Sequence, residues 1–423
     1  SATVGEVNRG LRKYTAIINR MERGVDWRVG CPFRKPAACF HGGAFFDAIG
    51  TGFENLGRRN QIINADVLDA WFPPAPGVIT ALQENLPWLL RTSPPTACDG
   101  MIRAVAAARG IPEDCVLPGA GSSALIFLAL RQWLSPESRV LILDPMYGEY
   151  AHVLEHVVRC RVDRLRLSRD AGYRVDLSRL EALLRRRYDL VILVNPNSPT
   201  GQHIPRAELA AILAGAPETT RIWVDETYIE FMGAGESLEP VAARRRNLMV
   251  CKSMSKVYAL SGLRAAYLCG PAALIETLRS VTPPWAVSLP AQVAVVAALK
   301  DPDYYAERYA ETHRLRAEFA TELAARVGWK VLPGVANFLL CLVPDQGLTA
   351  EEWCGRCRAR GLFVRDVGAM GRHLGRYALR IAVKDCETNF RMVQIIAEIA
   401  AAEQKARTVP VSPFINMTSL QQV

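Results

Sequence analysis

The 423-residue sequence predicts an α/β fold, a mainly parallel central sheet with helices on both faces, joined to a smaller α+β domain. Three observations carry this. From about residue 100, strand-length apolar runs alternate with amphipathic helical segments. The runs are apolar at successive positions, as in strands buried on both faces of a parallel sheet. The pattern then changes after a proline-broken stretch, "VTPPWAVSLPAQVA".

The strand candidates of the large domain are "RVLILDP", "YDLVILVNP", "TRIWVDE", "NLMVCKS" and "RAAYLCG". "SRLEALLRRR" and "RAELAAILAGA" lie between them as helical crossovers, which parallel neighbours need. The long charged helix "DPDYYAERYAETHRLRAEFATELAARVG" opens the smaller domain, expected over residues 290–400. Its strands are "ANFLLCLVP" and "RYALRIAVK", separated by a helix within "TAEEWCGRCRARGLF" and by "LFVRD". Thr349 and Glu352 form a capping box at the start of that helix, so Cys354 and Cys357 read as helix residues rather than as a dithiol redox motif. Residues 1–60 read as an N-terminal helix or arm, 61–289 as the large domain, and 401–423 as a tail without a periodic apolar face. Part of the N-terminal segment is assigned to the small domain.

Composition narrows the function. Half of the residues are apolar, enough for a large core, yet the apolar runs fall far short of the ~20 residues that cross a bilayer. The net charge of +9 comes from scattered arginines without an aromatic-studded basic groove, so an anionic small molecule is expected rather than nucleic acid. Eleven cysteines at irregular spacings argue for reduced thiols and a cytoplasmic setting, and the six histidines show no metal-ligand spacing.

Ligands of parallel sheets gather at the carboxyl ends of strands, where this sequence places its unusual polar groups. In "PGAGSSALIFLALRQW", Gly119, Gly121, Ser122 and Ser123 precede a helix and offer backbone N–H groups to a phosphate. Tyr147 follows one strand and suits a planar ring. Asn197 or Ser198 follows the next and can donate to an oxygen. Asp225 ends a third strand, with Tyr228 three residues on, and a buried acid there needs a cation. The last strand delivers Ser253, Ser255 and Lys256, with Arg264 beyond. Pyridoxal 5'-phosphate uses all of these groups: a lysine for the Schiff base, a carboxylate for the pyridine nitrogen, a tyrosine for the phenolic oxygen, and serines, an arginine and a helix N-terminus for the phosphate.

Together "NPNSPTG", "DETYIEF" and "SMSKVYALSGLR" resemble the fold-type-I aminotransferases, especially the histidinol-phosphate aminotransferase branch, over roughly residues 60–400. The resemblance implies that Lys256 is the Schiff-base lysine, Asp225 the pyridinium partner, Tyr228 the phenolate partner and Tyr147 the ring-stacking residue. It gives Ser122, Ser123, Ser253, Ser255 and Arg264 to the phosphate cup, and Arg380 to the substrate carboxylate, with Asn337 and Arg365 nearby. It also implies a homodimer with active sites at the subunit interface. The chain departs from the family pattern at Ser198, where asparagine is usual, and "RTSPPT" offers no tyrosine to a partner subunit's site.

Transamination of an amino acid or amino acid phosphate is the expected reaction, with Lys256 as the base for a 1,3-proton shift. A second expectation is decarboxylation: "HGG" at His41, Gly42 and Gly43, with "NQIINADVLDAWFPPAP" and "RDVGAMGRHLGRYALRIAV", is similar to the threonine-phosphate decarboxylases, in which such a loop holds the substrate phosphate. A non-catalytic binder on this scaffold is disfavoured by the intact lysine and acid.

Overall fold

The structure is a computed structural model that describes residues 42–408. Most of the expected N-terminal arm, including His41, and the end of the expected tail lie outside the described residues. The strands are β1 (Ile63–Asn64), β2 (Val116–Gly119), β3 (Arg139–Asp144), β4 (Arg161–Arg166), β5 (Leu190–Val194), β6 (Arg221–Asp225), β7 (Leu248–Ser253) and β8 (Ala266–Cys269), then β9 (Lys330–Leu332), β10 (Phe338–Leu342), β11 (Leu362–Phe363), β12 (Arg365–Asp366) and β13 (Ala378–Ala382).

A seven-stranded sheet runs in the order β2-β8-β7-β6-β5-β3-β4. The neighbours from β7 to β4 pair in parallel, while β8 is antiparallel to both β7 and β2. Two antiparallel steps restore direction, so the carboxyl end of β2 lies at the same edge as those of β3, β5, β6 and β7. All residues of β5 and β7 are buried. Each such Val, Leu or Ile contributes roughly 1.5–3 kcal/mol relative to exposure, which is why these runs lack polar alternation.

Sequence reading did not find β2 or β4. β2 is a four-residue "VLPG", with Pro118 and Gly119 inside it, and β4 is an edge strand, "RVDRLR", whose charged residues are partly exposed. Immediately after β2 the chain enters the helix Ser122–Trp133, whose Leu125, Ile126, Ala129 and Leu130 are buried.

A second sheet is antiparallel, in the order β12-β13-β10-β9. Its register sets Arg365 of β12 opposite Arg380 of β13. β1 joins this region by pairing in parallel with β11. The helices Pro302–Val327 and Cys386–Thr408 pack against each other beside it, and the latter continues past residue 400, where a tail was expected. The capping box of the helix Ala350–Arg358 is present: Glu352 N donates to Thr349 Oγ1 at 3.3 Å and Thr349 N donates to Glu352 Oε2 at 2.8 Å. No helix among the described residues is long and apolar enough to cross a membrane.

Candidate active site

The carboxyl ends of the parallel strands face the second sheet across a cavity of about 300 Å³. Ser122, Ser123, Tyr147, Ser198, Asp225 and Tyr228 line it from the large sheet, with Ser253, Ser255, Lys256 and Arg264, while Arg365 and Arg380 line it from the small one.

Asp225 ends β6 and is 3% exposed. Its Oδ1 accepts from Thr227 N at 2.9 Å and Thr227 Oγ1 at 2.6 Å, and its Oδ2 accepts from Tyr150 Oη at 2.7 Å. Trp223 Nε1 in turn donates to Tyr150 Oη at 2.7 Å. Burial pushes the Asp225 carboxyl up, and these donors oppose that shift. Among the described residues, no lysine or arginine forms an ion pair with it. Tyr228 is buried with its ring edge-on to Phe338, 5.3 Å between centroids, and burial pushes its phenol up.

Lys256 lies just beyond β7. Its Nζ is 2.9 Å from Asp69 Oδ1 and 3.5 Å from Ser261 Oγ. Burial pushes the amine down, and Asp69 counters it by stabilising the charged form.

At the start of the helix Ser122–Trp133, Gly121 has φ 86°, and a Cβ there would collide with Arg264 Nη2. Glycine therefore lets the guanidinium lie against the loop. Arg264 Nη1 donates to Ser261 O at 2.8 Å and to Ser255 Oγ at 3.5 Å. Ser253 Oγ accepts from Ser255 N at 3.4 Å, so this serine pair, the arginine and the helix N-terminus form one cationic corner. Ser123 takes a different course: its hydroxyl donates to Glu149 Oε2 at 2.9 Å, the oxygen that also accepts from Tyr147 Oη at 2.8 Å.

On the opposite wall, Arg380 Nη1 donates to Ser198 Oγ at 3.2 Å and Nη2 to Asp66 O at 3.2 Å, while Nε is buried without a hydrogen-bond partner among the described residues. Asp66 also lines the cavity. Burial pushes its carboxyl up, opposed by Arg365, Gly43 N–H and Arg380. Gly43 N donates to Asp66 Oδ2 at 3.0 Å, and a Cβ on Gly42, whose φ is 60°, would collide with Asp66 Oδ1. The glycine pair thus seats against the cavity wall through Asp66.

Two sequence candidates stand back from the cavity. Asn197 Nδ2 donates to Pro145 O and to Thr200 Oγ1, both at 3.0 Å, bracing its own loop, so Ser198 rather than Asn197 meets the cavity. Asn337 Nδ2 donates to Leu68 O at 3.0 Å and holds the segment after β1. Sequence reading missed Asp66, Asp69, Glu149, Tyr150 and Thr227. The available signals were the acid between two tyrosines in "MYGEY" and the paired acids of "ADVLD". Cys354 and Cys357 lie on a helix, and burial pushes each thiol up to about 12, away from the thiolate that redox exchange requires.

The family model for aminotransferase class I and II matches residues 74–396. The chain belongs to this family. It is 33% identical over 301 residues to a histidinol-phosphate aminotransferase of an Anaeromyxobacter species, covering 71% of this chain and 80% of that protein. The crystal structure of histidinol-phosphate aminotransferase from Sinorhizobium meliloti in complex with pyridoxal-5'-phosphate superposes with a TM-score of 0.72 at 22% identity, covering 82% of this chain and 94% of that one. That of L-threonine-O-3-phosphate decarboxylase from Porphyromonas gingivalis superposes with a TM-score of 0.70 at 22% identity, covering 80% and 100%. At these identities the structural likenesses establish the fold.

Proposed function

We propose that the protein is a pyridoxal 5'-phosphate-dependent aminotransferase acting on an amino acid or amino acid phosphate. The carrying observation is that the Asp225 carboxylate ends one strand and Lys256 lies just beyond the adjacent parallel strand, both at one cavity, with Arg380 on the facing wall. The residues fit the cofactor: Asp225 is a buried carboxylate with hydrogen-bond donors and, among the described residues, no cationic partner, the place for a protonated ring nitrogen. Tyr228 would meet the phenolic oxygen and Tyr147 the ring face. Ser122, Ser253, Ser255, Arg264 and the Ser123 backbone N–H would hold the phosphate. When bound, the cofactor supplies an aldehyde and an electron-withdrawing ring that labilises a bond at the substrate α-carbon.

The chain's own residues do the rest. Arg380 presents a planar fork to the α-carboxylate, and its Nε, without a hydrogen-bond partner among the described residues, supports that role. Lys256 takes the proton from the α-carbon on its Nζ and returns one to complete the 1,3-shift. Arg365 is a second cation for an acidic distal group, consistent with an amino acid phosphate. We read the active form as a homodimer; the exposed Trp88, Val281 and Trp285 support a buried apolar contact.

A second reading, decarboxylation of a phosphorylated amino acid, is favoured by Gly42 and Gly43 lying against Asp66 beside Arg365. A half-reaction screen with candidate amino acids separates the two. Formation of the pyridoxamine form supports transamination, and carbon dioxide with the product amine but without the pyridoxamine form supports decarboxylation. Lys256→Ala should abolish both turnover and the absorbance that arises from the cofactor's covalent link to the lysine; retention of both would overturn the site assignment.

A further inference from the structure

Lys256 is not alone with Asp69. Lys384, just past the end of β13, donates from its Nζ to Asp69 O at 3.1 Å. Asp69 follows β1, Lys256 follows β7 and Lys384 follows β13, so two separate parts of the chain converge on Asp69. Lys384 is part-buried, and burial pushes its amine down to about 8, with Asp69 and Asp385 opposing the shift and the Lys256 charge adding to it. Asp69 thus meets two part-buried lysines, Lys256 through its carboxylate and Lys384 through its main-chain carbonyl.

We propose that Asp69 and Lys384 are positioning residues that receive Lys256 in its proton-carrying form and set how readily that amine releases the proton. This rests on the reading of Lys256 as the proton-carrying base. A base that takes a proton from carbon and returns it must pass through an ammonium, and burial alone disfavours that form. Asp69, in direct contact, offsets part of that cost, and the amine still lies below its ordinary value. The neighbouring Lys384 charge, whose repulsion with Lys256 is mutual, weakens the hold of Asp69 further. Arg380 and Arg264 also push Lys256 toward the neutral form, but each has other partners at the cavity, whereas Lys384 is fixed to Asp69 itself. Ser261, whose hydroxyl donates to Ser255 O at 3.0 Å, completes the surroundings of the amine without a charge.

The test uses the full-length holoenzyme and the variants Asp69→Asn and Lys384→Met, with Lys384→Gln if the methionine variant does not fold. Two quantities are followed against pH: the rate of the half-reaction with an amino donor, and the midpoint of the change in visible absorbance of bound cofactor. Removing the carboxylate should move both to lower pH, and removing the Lys384 charge should move both to higher pH. The double variant should fall between them. A purely structural clamp would lower rates or stability without moving either midpoint, and that outcome, or shifts of the same sign in both variants, overturns the proposal. Failure of the underlying reading is separable, because it appears as turnover surviving in Lys256→Ala.

Discussion

The hydroxyl of Tyr150 donates a 2.7 Å hydrogen bond to Asp225 Oδ2 and accepts one of 2.7 Å from Trp223 Nε1, so the site's buried acid is held from beneath by a two-step relay. The ring of Tyr150 is fully buried, which leaves water no route to replace the bond. Tyr150→Phe should therefore strand one oxygen of Asp225, with a loss of about 1–3 kcal/mol. The sign follows from linkage: without this donor the Asp225 carboxyl rises further, so cofactor release on acidification should begin at a higher pH than in the parent. Titration of the apoenzyme with cofactor at several pH values checks it, and identical curves would count against the relay.

Gly121→Ala should damage the proposed phosphate corner without touching the lysine. The backbone there has φ 86° and ψ 161°, a region essentially reserved for glycine, and the added methyl would displace the Arg264 guanidinium. Strain of about 1–3 kcal/mol is expected, along with weaker cofactor binding and largely unchanged half-reaction chemistry at saturating cofactor. Thermal unfolding and cofactor titration provide the readouts.

Arg380→Lys keeps the charge but loses the planar fork. A loss of about 2–3 kcal/mol in carboxylate recognition corresponds to a fall of ~30–150-fold in kcat/KM. If kcat/KM stays near the parent value, the carboxylate binds elsewhere.

A buried ion cluster away from the cavity gives a stability prediction. Lys252 Nζ lies 2.7 Å from Glu230 and 3.5 Å from both Glu226 and Glu239, and Arg109 pairs with Glu230 at 2.9 Å. Burial pushes Glu226 from 4.5 up to about 7, against the pull of Lys252. Because its folded value is the higher one, the folded state binds more protons between those limits, and stability should fall as pH rises from about 4.5 toward 7. Glu239 is shifted down, so its contribution changes below that window. Glu226→Gln should flatten the slope in denaturant titrations. Lys252→Met should cost about 3–5 kcal/mol by leaving the carboxylates poorly neutralised.

Much of this architecture was legible because its signals are local. Buried parallel strands show as unbroken apolar runs, the helix at Ala350–Arg358 announces itself through Thr349 and Glu352, and catalytic candidates sit in the turns that follow strands. β2 and β4 were hidden for local reasons too: one is four residues with a proline and a glycine, the other a charged edge. The partners of the lysine were hidden for a different reason. Asp69 and Lys256 are 187 positions apart, and Lys384 and Asp69 are 315 apart, so no spacing rule could join them. Asn197 and Ser198 are adjacent, and which of them meets the cavity depends on the path of the loop, where Pro145 O and Thr200 captured the amide.

The short pairing of β1 with β11 has a mechanical consequence. Ile63 and Asn64 are bonded to the strand that leads directly into Arg365, while Asp66 follows two residues behind them. The acid and the arginine that line the cavity from this side are thereby stitched to one short seam, so any rocking of the smaller sheet would carry both together.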